Sequence, residues 1–188
     1  MGNTNLKFEA NLKKLIYEYV EIVKQLAANK IFSSENSELD SAVNTYLEYF
    51  IKDNVSNITN CDNNIKLIWS IHKIHPIIYH KKNSIDSKWL TRACLHQHIF
   101  AKKIEKMISD LNSSNIKKII KMYKSFLLAC KKNPEKILVP SLSEDLVWCA
   151  HMQDAASYMV DMETILGFLL DYRDDCSDEK IEKYKKDI

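Results

Sequence analysis

The residues best suited to chemistry in this chain lie together at 148–151, where the sequence reads WCAH. Cysteine and histidine are good zinc ligands, and a cysteine beside a histidine can act as a nucleophile. Residues two apart on a helix point about 200° apart, however, so Cys149 and His151 cannot easily reach one metal ion. A metal would also need His72 or Asp161. The pattern therefore favours a buried structural cluster without a metal or cofactor. The alternative hypothesis is a metal-dependent or thiol enzyme centred on His72, Cys149, His151 and Asp161.

The motif that contains these residues occurs twice in the chain. LIWSIHKIHPIIY (67–79) and LVWCAHMQDAASY (146–158) align without gaps, each with a histidine three residues and a tyrosine ten residues after the tryptophan. A tryptophan and a histidine three apart share one face of a helix. The repeat therefore predicts two related helix-turn-helix corners, each with a buried tryptophan and with a histidine that hydrogen-bonds around the turn. The residues assigned to the corners are Trp69, His72, Pro76 and Tyr79 in the first copy, and Asp145, Trp148, Cys149, His151, Tyr158 and Asp161 in the second.

The elements that must position these residues read as helices. Apolar residues recur at the spacing of a core-facing helical stripe in most segments. The chain of 188 residues contains only two glycines, which excludes glycine-rich phosphate loops and disfavours sheets with tight hairpins. We therefore predict an all-α, compact single-domain bundle over 1–188, with about seven or eight helices. The repeat motifs span 60–82 and 139–167, Gly167 closes a helix in the left-handed conformation, and 177–188 is a polar helix that frays.

The remaining composition bears on location. Five widely spaced cysteines without a CxxC pair fit reduced thiols, and no apolar run is long enough to cross a membrane. No signal peptide is recognisable. These features predict a cytoplasmic protein. The start MGNTNL partly resembles an N-myristoylation signal, but Leu6 stands where serine or threonine is preferred, which weighs against lipidation of Gly2.

A lysine-rich segment suggests a different partner. Ten lysines lie between positions 102 and 136, although the whole chain has a net charge of only +2. A nearly balanced total disfavours general nucleic-acid binding but leaves room for one basic face. The default interpretation of that face is solvation, and phosphate binding is the alternative. The face consists of Lys117, Lys118, Lys121 and Lys124, opposite the apolar stripe of one helix.

Residues 123–167 resemble the glycine-rich domain-containing protein-like family. That family has a Tyr-x-x-Phe-Leu helix, then Val-Pro, Asp-Leu-x-Trp-His-x-His and a later Tyr-x-x-Asp. Cys149 replaces the first histidine of that motif, Ala155 stands where proline is usual, and the glycine-rich tail is missing. The residues 69–79 resemble the family's degenerate first copy. The matching residues are Tyr123, Phe126, Leu127, Val139, Pro140, Asp145, Leu146, Trp148, His151, Tyr158, Asp161 and Gly167.

The resemblance implies an all-helical module without a settled enzymatic activity. We therefore predict a non-enzymatic interaction or structural module that binds a protein partner. The metal-dependent or thiol enzyme is the first alternative function, and nucleic-acid binding through the face from Lys117 to Lys124 is the second.

Overall fold

The structure is a computed structural model that describes residues 2–51, 58, 60–74, 86–170 and 172. All regular secondary structure in these ranges is helical, so the prediction of an all-α fold is confirmed. Pro76, Tyr79 and the expected helix at 177–188 lie outside the described residues. The helices are α1 (Gly2–Ala28), α2 (Ser37–Ile51), α3 (Asn63–His72), α4 (Ser87–Ser109), α5 (Ser113–Lys132), α6 (Leu142–Met152) and α7 (Ala155–Ile165), with a 3-10 turn at Lys30–Phe32.

The chain divides into two compact units. The inserted unit is the continuous segment Tyr19–Asp110, and the outer unit combines Met1–Glu18 with Leu111–Ile188. Helix α1 contributes its first part to the outer unit and its last part to the inserted unit. The single domain inferred from the sequence stays a prediction.

In the inserted unit, α2, α3 and α4 pack against one another. Their apolar stripes form the core, and two buried polar pairs tie the end of α1 to α4. The Tyr19 hydroxyl donates to Oε1 of Gln97 at 3.0 Å, and Nδ1 of His98 lies 2.7 Å from the carbonyl oxygen of Leu26. Buried polar groups need such partners because an unpaired one costs about 1–3 kcal/mol.

In the outer unit, α5, α6 and α7 pack together, and each helix begins at a capping residue. Asn112 accepts from the first backbone N–H groups of α5. Ser141 and Glu144 form a reciprocal capping box at the start of α6, and Asp154 accepts from the N–H of Ser157 in α7. Only residues 153–154 separate α6 from α7, so the two helices form a tight corner.

Helix α7 ends at Ile165, and the glycine that the sequence predicts to close it follows two residues later. Gly167 has a φ of +84°, and its N–H donates to the carbonyl of Glu163 at 3.0 Å. Glycine adopts this left-handed conformation without the steric cost of a Cβ. None of the described helices is both long enough and apolar enough to cross a bilayer.

Candidate functional site

The WCAH residues lie in the most deeply buried part of α6. Every residue from Leu146 to Met152 is buried, and both α5 and α7 pack against this short helix. Trp148, Cys149 and His151 can therefore point in different directions and still avoid solvent. The periodicity of one amphipathic stripe does not apply to a helix that is covered on several sides.

His151 joins three helices through its two ring nitrogens. Nδ1 lies 3.2 Å from the hydroxyl of Tyr123 on α5, and Nε2 lies 3.1 Å from Oδ2 of Asp161 on α7. A carboxylate only accepts, so a neutral His151 carries its proton on Nε2 and accepts from the Tyr123 hydroxyl at Nδ1. The ring of Phe8, from α1, packs edge-on against the imidazole at 5.6 Å. The network thus satisfies both nitrogens of a fully buried histidine.

A second chain of hydrogen bonds starts at Trp148. Its Nε1–H donates to the hydroxyl of Tyr158 at 2.9 Å, and that hydroxyl donates to the carbonyl of Leu170 at 2.7 Å. The indole packs against Phe126 at 5.5 Å and against Tyr172 at 5.2 Å. Tyr158 therefore hydrogen-bonds to the tryptophan, while its ring packs edge-on against the imidazole of the same corner. These contacts fix the segment after α7 against α6.

Cys149 lies one turn after Asp145 on the same helix. Its Sγ donates to Oδ1 of Asp145 at 3.6 Å, and the residue is fully buried. This contact uses the thiol hydrogen, which a thiolate nucleophile would lack. Ala155 is the first residue of α7, a helix position that also suits proline.

The acid–base properties of the site follow from burial. Burial raises the pKa of the Tyr123 phenol well above its ordinary value, and the nearby Tyr158 raises it further. Burial also raises the pKa of the Cys130 thiol to about 11. Burial alone would raise the pKa of Asp154, but the two hydrogen bonds from Ser157 lower it below its ordinary value. Tyr123 and Cys130 therefore stay protonated at neutral pH.

The inserted unit contains a related arrangement. The hydroxyl of Tyr46 on α2 hydrogen-bonds to Nδ1 of His72 on α3, as Tyr123 does to His151. Phe50 and Trp69 both pack against the His72 ring, at 4.8 and 6.2 Å. The prediction of a buried tryptophan is wrong for Trp69, which is only half-buried, and Nζ of Lys73 lies 5.6 Å from its ring centre. Pro76 and Tyr79, the other residues expected in this corner, lie outside the described residues.

The tyrosine partners of the histidines are the feature that the sequence analysis missed. The repeat predicts a histidine that hydrogen-bonds around its own turn, and no sequence pattern assigned Tyr46 to the site. The tyrosine precedes its histidine by 26 residues in one unit and by 28 in the other. The available signal was a Tyr–Phe pair one helix before each Trp–His pair, at Tyr46 and Phe50 and at Tyr123 and Phe126.

Only part of the lysine face of α5 is exposed to solvent. Lys117, Lys118 and Lys121 are exposed. Lys124 is half-buried, and its Nζ forms an ion pair with Oε1 of Glu9 at 2.7 Å. Helix α1 therefore holds one of the four lysines that the sequence assigned to this face.

The chain matches no protein-family model, no curated protein and no solved structure. The resemblance to the glycine-rich domain-containing protein-like family stays a prediction.

The geometry of the site limits what it can do chemically. Among the described residues, no three His, Cys, Asp or Glu side chains are placed to hold a metal ion. His72 belongs to the inserted unit, whereas Cys149, His151 and Asp161 belong to the outer unit. In the triad of Tyr123, His151 and Asp161, only the carboxylate is partly exposed. The arrangement can fasten three helices together and keep their polar groups paired.

Proposed function

We propose that this chain is a non-enzymatic helical module that acts by binding a protein partner. The observation that carries the proposal is the mutual pairing of the motif side chains in buried positions. His151 bonds to Tyr123 and Asp161, and Trp148 bonds to Tyr158. Groups used in this way support the fold, which favours a structural role for the motif over a reactive one. The resemblance to the glycine-rich domain-containing protein-like family points in the same direction.

A segment before α6 supports contact with a protein. Ile137 and Leu142 are 42% and 47% exposed, and the residues between them include the half-buried Leu138, Val139 and Pro140. Residues 137–140 have no regular secondary structure. An exposed apolar cluster of this kind is more typical of an interaction site than scattered single residues are. The partner surface is accordingly assigned to residues 137–142.

Site-specific photo-cross-linking tests this assignment. A photoreactive phenylalanine analogue at Ile137 should form a discrete adduct with one identified protein in cells that make this chain. The same analogue at the exposed Glu163 on α7 is the matched control and should not form that adduct. Leu142→Asp should abolish the adduct at 137, because a charge at the apolar segment opposes burial. Equal adducts from both positions, or an adduct insensitive to Leu142→Asp, would argue against the partner surface.

The thiol or metal enzyme predicts a different result for Cys149. We expect the buried thiols of Cys94, Cys130 and Cys149 to resist alkylation in the native protein at neutral pH. Cys61, which is partly exposed, should react faster and serves as the internal control. Mass spectrometry of peptides after timed alkylation gives the order. Rapid modification of Cys149, or stoichiometric zinc that is lost in Cys149→Ala, would contradict the non-enzymatic proposal.

A further inference from the structure

We propose that one surface of the outer unit binds the surface of a bilayer that contains anionic lipid. We call it the basic face. It is formed by the exposed sides of α5 and of the first part of α1. Its defining residues are Leu6, Tyr17, Lys117, Lys121, Leu128 and Lys132.

Helix α5 carries a large excess of positive charge. The helix contains six lysines and no aspartate or glutamate. Two of the lysines have partners within the unit, since Lys124 pairs with Glu9 and Lys131 donates to the carbonyl of Ile165 at 2.6 Å. The other four, Lys117, Lys118, Lys121 and Lys132, are exposed, and no ion pair joins them to any residue that the structure describes. Their uncompensated charge attracts a polyanionic surface.

Exposed apolar side chains lie among these lysines. Leu128 is 53% exposed on α5, between Lys121 and Lys132. Lys117, Lys121, Leu128 and Lys132 follow one another at intervals of one or two helical turns, so they share one side of the helix. That stripe is about 22 Å long at the rise of 1.5 Å per residue. A phosphate backbone alone offers no apolar surface for an exposed leucine in this stripe to contact.

Helix α1 extends the basic face with two further exposed apolar side chains. Leu6 and Tyr17 are 69% and 47% exposed, and their separation is close to three full turns, which places them on the same side of α1. The two helices are joined by side-chain contacts along their flanks. Nζ of Lys13 donates to Oγ of Ser113 at 3.2 Å, in addition to the ion pair of Glu9. The exposed sides of α1 and α5 therefore continue into each other.

Lysines interspersed with exposed leucine and tyrosine fit a charged lipid–water interface. The lysines are attracted to anionic headgroups, while the apolar side chains enter the boundary below them. Tyrosine suits this depth because it has an apolar ring and a polar end. A nucleic acid would contact the lysines and stack a base on Tyr17, but it would leave Leu6 and Leu128 without an apolar partner. The exposed apolar side chains therefore favour the bilayer over the polynucleotide.

Vesicle binding by the full chain tests the proposal. The protein should cosediment with vesicles of equal parts phosphatidylcholine and phosphatidylserine, and not with phosphatidylcholine alone. The triple variant Lys117→Gln/Lys121→Gln/Lys132→Gln should bind on the order of 100-fold more weakly, since each lysine near an anionic surface contributes roughly fivefold. The matched control, Lys88→Gln/Lys103→Gln/Lys106→Gln, removes the same charge from exposed positions of α4 and should retain most of the binding.

A second variant separates the bilayer from other polyanions. Leu6→Ser/Leu128→Ser keeps every charge and should weaken vesicle binding at least tenfold, because two apolar side chains no longer enter the interface. Circular dichroism checks that each variant keeps its helices. The proposal is overturned by absence of binding to the anionic vesicles at low salt, by equal losses in the α4 control, or by an unaffected leucine variant. Binding to a single-stranded oligonucleotide instead of vesicles would assign the basic face to nucleic acid.

Discussion

Replacing Trp148 with alanine should lower the free energy of unfolding by about 3–5 kcal/mol. The indole is buried between Phe126 and Tyr172, and the surrounding helices cannot close the whole cavity. The substitution also removes the Nε1–H that donates to Tyr158. Urea unfolding followed by circular dichroism measures the loss.

Trp69→Ala is the matched control within the same chain. Its indole is only half-buried, so the cost should be smaller, about 1–2 kcal/mol. Trp148→Phe should fall between wild type and Trp148→Ala, because most of the volume is kept and the hydrogen bond is lost. Equal losses at the two tryptophans would show that the packing around Trp148 contributes less than its burial indicates.

Removing either partner of the Tyr123–His151 pair should lower the free energy of unfolding. Removing both should lower it by less than the sum of the two single losses. Tyr123→Phe or His151→Leu leaves a buried polar atom without its partner, at about 1–3 kcal/mol each. In the double variant both polar groups of the pair are absent, so neither is left buried without its hydrogen-bond partner. We expect a coupling energy of about 1 kcal/mol or more from the double-mutant cycle. Additive losses would mean that the two side chains stabilise the unit independently.

Alkaline pH gives a second measurement of the same pair. Tyr123 has a raised pKa in the folded state, so its phenol ionises first in the unfolded chain. Its contribution is fully present below the ordinary tyrosine pKa of about 10 and is lost as the pH rises above it. Wild type should therefore lose stability between neutral and alkaline pH more steeply than Tyr123→Phe. Parallel curves would contradict the effect of burial on this phenol.

Local sequence patterns were sufficient to predict the helical fold. The apolar stripe from Ile116 to Cys130, followed by the break at Asn133-Pro134, predicts a helix over 113–132, and the structure has α5 at Ser113–Lys132. Gly167 was predicted to close α7 because a left-handed end favours glycine. Both signals depend on residues within a few positions of one another. The division into two units depends instead on contacts between residues that are far apart in the sequence. The prediction of a single domain rested on length and local patterns, which carry no information about those contacts.

The candidate site was only partly predictable for the same reason. The bond between His151 and Asp161 joins residues ten apart in the sequence, and both were assigned to the second corner. The bond between Tyr123 and His151 depends on how α5 packs on α6 across 28 residues. A tyrosine in an apolar stripe looks like any other core residue in the sequence. Only the packing shows that its hydroxyl, unlike that of Tyr158, is directed to the histidine.

The division of α1 has a consequence for the order of events during translation. All of Tyr19–Asp110 has been synthesised before the ribosome reaches α5, so the inserted unit can complete its core first. The first part of α1 belongs to the outer unit, so it must wait until α5, α6 and α7 have been synthesised. Until then Leu12 and Ile16, which are fully buried in the folded protein, stay uncovered. At 5–20 residues per second the inserted segment alone imposes a delay of roughly 5–20 s. During that interval the nascent chain exposes the apolar stripe of this part of α1, a surface of the kind that chaperones bind.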